Sequence, residues 1–296
     1  MEEKVIICGV VKNVAKLIEK NIQWAKETAK MFTTSKIIVY ENNSTDETKE
    51  ILKRQDGITV ISEDFSPETI RKESKIWAYT KVTGSDHPCR IEQIVNARNR
   101  LIDIINQEND YDYVIWIDLD SDGWSLEGIF DSFQKKLMWD VLYANGLTSD
   151  GNYYDMYAYR NWDFLYGPEI LGELFWQRSF YKQPRFQGDY LIPIISGYGG
   201  IQIIKKELFK NHRFDSLVND SVKEFYSKIQ LTQNDLHVIQ NPCPKFPGGY
   251  YENGIHWKPN CGYDNTVVSE YVAFNIELWN EEYKIVVNPK LIYKHL

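Results

Sequence analysis

The 296-residue chain lacks several features by which other classes of protein are recognised. No apolar run approaches the roughly 18 residues that a membrane-spanning helix requires. The N-terminus has neither the basic region nor the long apolar region of a signal peptide. Asp and Glu (42) outnumber Lys and Arg (34), and the net charge of −8 argues against broad nucleic-acid binding. We therefore expect a cytoplasmic protein with no membrane-spanning segment and no nucleic-acid partner.

Cysteine is also scarce, with four in the chain and no C-x-x-C pair. Cys8 lies in an apolar strand pattern and is predicted to be a small buried residue. Cys243 and Cys261 flank a stretch rich in Pro and Gly, where they could pair only outside a reducing compartment. With His256 they would make a zinc site whose spacing fits no usual ligand pattern. Free thiols are therefore the favoured interpretation.

What the chain does contain is a regular alternation of strand and helix patterns in its first half. Continuous apolar runs predict buried parallel strands. Apolar residues at helical spacing, with Asn13 and Ser44 as candidate caps, predict helices between the strands. The order βαβαβ…αβ is typical of a doubly wound parallel sheet with helices on both faces. The predicted strands cover residues 5–11, 36–40, 57–61 and 112–118, and the predicted helices follow Asn13 and cover residues 44–54 and 90–107.

The second half is less regular. Thirteen aromatic residues fall between positions 153 and 190, and we expect most of them in the core and a few along a cleft. A strand is predicted from Pro193 to Gly200, and a long loop or lid over residues 241–263. A helix or strand is predicted from Glu270 through Trp279, followed by a strand from Tyr283 to Val287. These patterns indicate one α/β unit with an irregular C-terminal half.

The most informative segment is an acidic cluster, Asp118, Asp120 and Asp122, that directly follows a buried apolar strand. Its D-x-D-x-D-G sequence matches the first six positions of an EF-hand calcium loop. An EF-hand also requires a bidentate Glu at position twelve, which here is Ile129, and a helix in place of the preceding strand. The EF-hand is therefore disfavoured, whereas a looser calcium loop and a solvated acidic turn stay open.

The same cluster also fits a metal site at the edge of a sheet. In open α/β sheets, ligands bind at the carboxyl ends of the strands, and carboxylates there can hold Mg²⁺ or Mn²⁺. Such a cation would let an acidic chain bind a diphosphate, because the ion, and not a basic patch, offsets the repulsion. The position of the D-x-D pattern therefore predicts a divalent-cation site for a nucleotide diphosphate.

Short motifs along nearly the whole chain extend this prediction. They are Tyr40-Glu41-Asn42 with Ser44-Thr45-Asp46, Arg90-Ile91 with Ala97-Arg98-Asn99, Tyr154-Asp155 with Tyr157-Ala158 and Arg160, Ser196-Gly197 with Gly200, Ser269-Glu270, and Asn288-Pro289. In this order they resemble the GT-A class of nucleotide-sugar glycosyltransferases. More narrowly, the set is similar to the fungal capsule-associated α-1,3-mannosyltransferase family.

The resemblance implies a GT-A fold, which is a Rossmann-like, mostly parallel central sheet with helices on both faces. In a single catalytic domain, residues 1–125 would form the nucleotide-binding half and residues 126–296 the acceptor-binding half. The implied enzyme transfers a hexose from a UDP- or GDP-sugar to a hydroxyl of a glycan or glycoconjugate. Its cofactor would be Mn²⁺ or Mg²⁺, and retention of the anomeric configuration is slightly favoured over inversion.

The resemblance also implies roles for residues of the donor site. Val10, at the end of the first strand, would line the nucleotide pocket, and the pair Glu41-Asn42 would contact the base or ribose. Arg98 would approach the diphosphate or brace the acidic strand. The pair Gly199-Gly200 either lets the backbone approach the donor sugar closely or forms only a tight bend.

For the metal, the resemblance implies that Asp118 faces the ribose or the ion and that Asp120 coordinates the ion. Asp122 would assist or only solvate the turn. His295, after the last strand, would complete the metal site, or it is an ordinary surface histidine near the C-terminus.

A carboxylate is also expected near the reacting centre, as a base for inversion or a nucleophile for retention. Glu270 is the first candidate, because it resembles the acidic position after the irregular loop, and Asp264 is the second. Asp155 and Arg160 form either a buried charge pair or contacts to the acceptor.

Two other functions stay open. A nucleotidyltransferase that makes sugar nucleotides would share the sheet and the acidic metal site, but residues 9–13 are too poor in Gly and Arg for its usual phosphate loop. A calcium-stabilised carbohydrate-binding module would bind glycan without nucleotide.

Overall fold

The structure is a computed structural model that describes residues 1–80, 85–229, 233–242, 248–259 and 265–296. The strands are β1 (Lys4–Val11), β2 (Thr34–Asn42), β3 (Thr59–Glu63), β4 (Trp77–Thr80), β5 (Ser85–Pro88), β6 (Tyr113–Ile117), β7 (Gly123–Trp124), β8 (Val141–Leu147), β9 (Ile192–Pro193), β10 (Ile201–Lys205), β11 (Tyr250–Glu252), β12 (Ile255–Trp257) and β13 (Ile285–Lys294). The helices are α1 (Ile18–Ala29), α2 (Thr48–Lys53), α3 (Pro67–Glu73), α4 (Arg90–Gln107), α5 (Leu126–Gln134), α6 (Pro168–Leu171), α7 (Leu174–Tyr181), α8 (Asp220–Ser227), α9 (Gln233–Gln240) and α10 (Glu270–Asn280).

A nine-stranded mixed sheet forms the centre of the fold, in the order β3-β2-β1-β6-β10-β8-β13-β7, with β9 paired to β13. Strands β3, β2, β1 and β6 are parallel neighbours, and β8 and β13 form a second parallel pair. Strand β10 lies antiparallel between β6 and β8. The mostly parallel α/β fold predicted from the sequence is confirmed, and its sheet takes strands from both halves of the chain.

Apolar side chains cover both faces of this sheet, because successive residues of a strand point to opposite sides. In β1, Ile6 and Cys8 join one buried cluster, which includes Leu101 of α4. The alternate residues Val5 and Ile7 join the other, together with α1. Helices therefore pack on both faces, as predicted, and Cys8 is a buried free thiol.

The sheet brings three chain segments to one edge. Strands β1 and β6 end there, at Val11 and Ile117, because they are parallel and in register. Strand β10 begins there, since it is antiparallel to β6 and pairs Ile201 with Ile117. The residues after β6 and those before β10 are consequently neighbours.

Two predicted helix starts differ from the structure. Asn13 does not cap α1, which begins only at Ile18, and Asn13 adopts a φ of +56°. Ser44 does not cap α2 either, because its hydroxyl accepts the backbone N–H of Asn13 instead. The polar residues at these two turns therefore join the ends of β1 and β2, a long-range contact that competed with local capping.

The predicted strand from Pro193 to Gly200 is wrong. Only Ile192–Pro193 forms a short strand, and the next strand is β10, Ile201–Lys205. Gly199 and Gly200 have φ of +68° and +87°, which break an extended strand and turn the chain into β10. The sequence also gave no prediction for β8, which lies within the sheet.

The long loop predicted over residues 241–263 contains the hairpin of β11 and β12. Cys243 and Cys261, two members of the alternative zinc set, lie outside the described residues, as does the candidate Asp264. Among the helices that the structure describes, none combines the length and apolar character needed to cross a membrane.

Candidate functional site

A cleft of about 770 Å³ opens at the edge where β1 and β6 end. Many of the residues singled out in the sequence line it, among them Val10, Asn42, Arg98, Asp118, Asp120 and Glu270. Five further lining residues from the irregular second half are Tyr154, Asp155, Tyr157, Trp176 and Tyr198. The cleft therefore combines carboxylates, one buried cation and several aromatic faces.

Arg98 is the buried cation of this site. It lies on α4 with 4% exposure, and its Nη2 is 3.6 Å from Oδ1 of Asp118, while its Nε is 3.3 Å from Oε1 of Glu270. Its Nη1 donates a hydrogen bond of 2.6 Å to the hydroxyl of Tyr271. Arg98 was expected to approach the diphosphate or to brace the acidic strand. Its contacts in this structure are those of a brace between two carboxylates.

Aromatic rings enclose the Arg98 guanidinium. The ring centroids lie 4.8 to 5.5 Å from its central carbon and belong to Trp116, Tyr198, Phe214 and Tyr271. Tyr198 and Tyr271 also stack on each other at 4.0 Å and 15°. Cation–π contacts strengthen when water is excluded, so this enclosure fixes the position of the charge.

Asp118 is held from three sides at the end of β6. The Tyr198 hydroxyl donates to its Oδ1 at 2.7 Å, its backbone N–H donates to Gly200, and its carbonyl accepts from the Tyr293 hydroxyl. Burial raises the pKa of Asp118 to about 7, although the Arg98 charge opposes the shift. A carboxylate so placed gains from a nearby cation, because the cation favours its charged form.

Asp120, whose charge acts on His295, lines the cleft. It makes no hydrogen bond or ion pair with another residue that the structure describes. The imidazole of His295 stacks on Tyr154 at 3.8 Å, and its Nδ1 is buried without a hydrogen-bond partner. Burial lowers the pKa of His295, and the charge of Asp120 opposes that change. His295 thus stacks on a ring that lines the cleft, and its role as a metal ligand stays a prediction.

Asp122 lies away from this group. Its Oδ1 is 2.6 Å from Nζ of Lys20 on α1, and its carboxylate is 55% exposed. Neighbouring Ser121 turns inward and donates to Asn21, so the chain reverses direction between Asp120 and Asp122. The pairing with Lys20 replaces the metal role predicted for Asp122 and also removes the third carboxylate of a calcium loop.

The other predicted donor residues have structural contacts. Glu41 is fully buried, where it accepts the backbone N–H of Ser44 at 2.7 Å and the hydroxyl of Ser62. A Cβ at Gly199 would stand 2.2 Å from the carbonyl of Ala144. Gly200 packs in the same way against the ring of Tyr293. Both glycines therefore allow close packing within the protein, which corresponds to the tight-bend interpretation.

Asp155 and Arg160 do not pair with each other. Arg160 Nη2 is 3.0 Å from Oε1 of Glu169, and both side chains are fully buried. Asp155 accepts the backbone N–H of Ala158 and lines the cleft. Burial, and next the charge of Glu270, raise the pKa of Asp155 to about 6. Asp155 is thus a cleft residue, while Arg160 belongs to the core.

Of the thirteen aromatic residues between 153 and 190, six are buried, which is fewer than the majority expected in the core, and three line the cleft. Tyr154, Tyr157 and Trp176 line the cleft, and the rings of Tyr157 and Trp176 are parallel within 6°. Most of the others are core residues. A larger cavity of about 1320 Å³, bordered by Trp162 and Trp279, contains none of the predicted site residues.

Comparison with known proteins gives similarities of fold only. No protein-family model matches the chain, and no curated protein matches it. S. aureus TarS 1–349 is 11% identical over 99% of this chain and 60% of that chain, with a TM-score of 0.43. The same protein in complex with UDP-GlcNAc is 13% identical over 98% of this chain and 57% of that chain, with a TM-score of 0.39. Glucosyl-3-phosphoglycerate synthase from Mycobacterium tuberculosis, in complex with Mn²⁺, UDP and phosphoglyceric acid, is 16% identical over 70% of this chain and 57% of that chain, with a TM-score of 0.38. These values are too low for the ligands of those proteins to be assigned to this chain.

Proposed function

We propose that the chain is a metal-dependent glycosyltransferase that transfers a hexose from a UDP- or GDP-sugar to a hydroxyl of a glycan or glycoconjugate. The observation that carries this proposal is the arrangement at the end of β6. Asp118 is fixed by Arg98 and Tyr198, Asp120 has no partner among the residues that the structure describes, and a further carboxylate, Glu270, lines the same cleft. The GT-A resemblance of the sequence agrees with this arrangement.

The residues present fit a divalent cation. Asp120 has unused oxygens and His295 has a buried nitrogen without a partner. Asp118, Asp120 and His295 would hold the ion, and the carboxylate oxygens are ligands that suit Mn²⁺ or Mg²⁺. Their ligand atoms do not all lie within 4.8 Å of one another among the described residues, so binding would draw them together. A bound ion supplies charge neutralisation and Lewis-acid activation of the leaving diphosphate.

The remaining cleft residues position the substrates. Val10 and Asn42 lie along the side where a nucleoside would bind, next to the ends of β1 and β2. The faces of Tyr157 and Trp176 offer surfaces on which sugar rings can stack. The acceptor would accordingly lie on the side formed by the second half of the chain.

Glu270 is the proposed catalytic carboxylate. It is the first residue of α10, it is 9% exposed, and Arg98 fixes its position. For inversion it would accept the proton of the acceptor hydroxyl. For retention, which the resemblance slightly favours, it would stabilise the reacting sugar while the leaving phosphate takes that proton. Asp264 stays a second candidate from the sequence.

A ligand screen tests the proposal. Thermal shifts are measured with UDP, GDP, CMP and Ca²⁺, each with and without Mn²⁺. We expect a rise in Tm with UDP or GDP that depends on Mn²⁺. The nucleotide that causes this rise identifies the nucleotide class of the donor. A shift by Ca²⁺ alone would overturn the proposal in favour of a carbohydrate-binding module. The anomeric configuration of the product, read by NMR, then decides between retention and inversion.

The narrower similarity to the fungal capsule-associated α-1,3-mannosyltransferase family is also part of this proposal. No donor sugar is inferred from it, because the D-x-D motif of this chain is fuller than expected for that family.

A further inference from the structure

A second group of metal-ligating side chains lies outside the cleft. His212 follows the short 3₁₀ helix Lys206–Lys210, and Glu277 and Glu281 lie one turn apart near the end of α10. Nδ1 of His212 is 3.4 Å from Oε1 of Glu277, and Nε2 is 3.5 Å from Oε2 of Glu281. One ligand atom from each of the three residues can be chosen so that all lie within 4.8 Å of one another.

The imidazole of this group has an unsatisfied nitrogen. His212 is 3% exposed, and its Nδ1 is buried without a hydrogen-bond partner. A buried polar atom without a partner is costly and uncommon in native proteins. The Nδ1 atom lies 3.4 Å from Oε1 of Glu277, a separation that two ligands of one ion can have.

The charge of the two carboxylates is not balanced by any Lys or Arg among the described residues. Glu277 and Glu281 occupy the same face of α10 at a spacing where like charges repel. Within the ranges that the structure describes, neither makes an ion pair with Lys or Arg, and their recorded ion-pair contacts are to His212. The group therefore has two negative charges and one imidazole, and it would gain from a positive ion.

We propose that His212, Glu277 and Glu281 form a divalent-cation site of the zinc-binding class. Zinc lies roughly 2.0–2.2 Å from nitrogen and carboxylate ligands, so tetrahedral ligands are roughly 3.3–3.6 Å apart. The separation of 3.4 Å between Nδ1 and the Glu277 oxygen falls within that interval. The side chains of Glu277 and Glu281 are 31% and 50% exposed, so water can reach the ion and complete its coordination.

Occupation of this site would fasten α10 to the segment behind the cleft. The backbone of Phe214, two residues after His212, exchanges two hydrogen bonds with the side chain of Asn99, the neighbour of Arg98. Helix α10 begins at Glu270, which Arg98 contacts. The ion would thus stabilise the helix that carries a cleft carboxylate, without itself touching the cleft. The proposal does not depend on the reaction proposed above.

Zinc binding by the full chain, stripped of metal with EDTA, tests the site. The Asp120→Asn variant serves as background, so that the ion of the cleft is not counted. We expect about one equivalent of Zn²⁺ by isothermal titration calorimetry, and a rise in Tm when Zn²⁺ alone is added.

Two further variants in that background complete the test. Glu277→Gln with Glu281→Gln alters one half-buried and one exposed side chain, so the fold should persist by circular dichroism while the Zn²⁺ equivalent and the Tm rise are lost. His237→Ala, at an exposed histidine of α9, should keep both. Absence of zinc binding in the background protein, or unchanged binding in the double glutamine variant, would overturn the proposal.

Discussion

Nε of Arg98 lies 3.3 Å from Oε1 of Glu270, and the same guanidinium reaches Asp118 through Nη2. One buried cation from α4 thus holds a carboxylate from the end of β6 and another from the start of α10. These contacts join segments that are far apart in the sequence. The position of both carboxylates in the cleft consequently depends on Arg98.

Replacement of Arg98 by Met should destabilise the protein strongly. The substitution removes the positive charge and leaves two largely buried carboxylates unpaired, which costs about 3 kcal/mol or more. Urea unfolding measures the effect. Arg100→Met is the matched control, because Arg100 is 37% exposed and its ion pairs should contribute less than about 1 kcal/mol. Similar losses in the two variants would contradict the role of Arg98 as a brace.

Asp120→Asn should abolish Mn²⁺-dependent nucleotide binding while the Tm without ligand stays nearly unchanged. The reason is that Asp120 has no partner within the described part of the chain, so its charge contributes to binding and not to packing. The measurement is the thermal shift by UDP or GDP with Mn²⁺. Asp122→Asn, which loses only the exposed pair with Lys20, should retain the shift. A full shift in Asp120→Asn would remove Asp120 from the metal site.

Glu270→Gln should lower turnover by roughly 10²–10⁴-fold, the usual contribution of a positioned acid or base. Nucleotide binding should be preserved, because the amide oxygen can still contact Arg98. Transfer of the sugar and release of nucleoside diphosphate are followed in the same assay. Glu282→Gln, at an exposed residue beyond the end of α10, is the control. Turnover near that of the unmodified protein would assign the reaction to another carboxylate, such as Asp264.

Gly199→Ala should destabilise the fold more than Gly188→Ala does. Both glycines have positive φ, so both substitutions carry backbone strain of about 1 kcal/mol or more. Only Gly199 adds a collision, since its Cβ would stand 2.2 Å from the Ala144 carbonyl, whereas Gly188 has free space. The loss of unfolding free energy in Gly199→Ala minus the loss in Gly188→Ala gives the cost of the collision alone. Equal values would mean that the turn before β10 can shift without cost.

Asp155→Asn should change how stability depends on pH. Burial raises the folded-state pKa of Asp155 from 3.8 to about 6, so between these values the folded protein binds more protons than the unfolded chain. The contribution of Asp155 to stability therefore falls as pH rises from about 4 to about 6. The asparagine variant lacks this loss and should gain roughly 2–3 kcal/mol on the wild type between pH 4 and pH 7. The free energy of unfolding of both proteins is measured with urea at pH 4 and pH 7. An equal change in the two proteins between these pH values would contradict the raised pKa of Asp155.

The parts of the fold that could be predicted have strong local signals. The helix predicted over residues 90–107 coincides with α4, because its apolar residues repeat at helical spacing over its whole length. The strand before Asp118 was equally clear as a continuous apolar run. By contrast, β8 and the turn at Gly199 depend on pairing with distant strands, which the local pattern does not record.

In the candidate site, too, the residues with a local sequence signal could be predicted and the tertiary contacts could not. The sequence indicated Asp118 and Asp120, because they follow a buried strand whose carboxyl end lies at the ligand edge of the sheet. It could not show that Tyr198 would donate to Asp118, or that Lys20 would pair with Asp122, since those contacts arise only when α1 and the turn before β10 pack against β6. The stacking of His295 on Tyr154 is a tertiary contact of the same kind.

The position of β13 within the sheet affects the order in which the strands can pair. Strand β13 lies inside the sheet, paired to β8 on one side and to β7 and β9 on the other. It is the last strand of this sequence to be synthesised, so a ribosome-bound chain holds β8 with an unsatisfied edge until β13 arrives. Such edges pair readily with other chains, and pairings between distant segments form slowly. The nascent protein should therefore need protection from aggregation until β13, Ile285–Lys294, has left the ribosome and paired with β8.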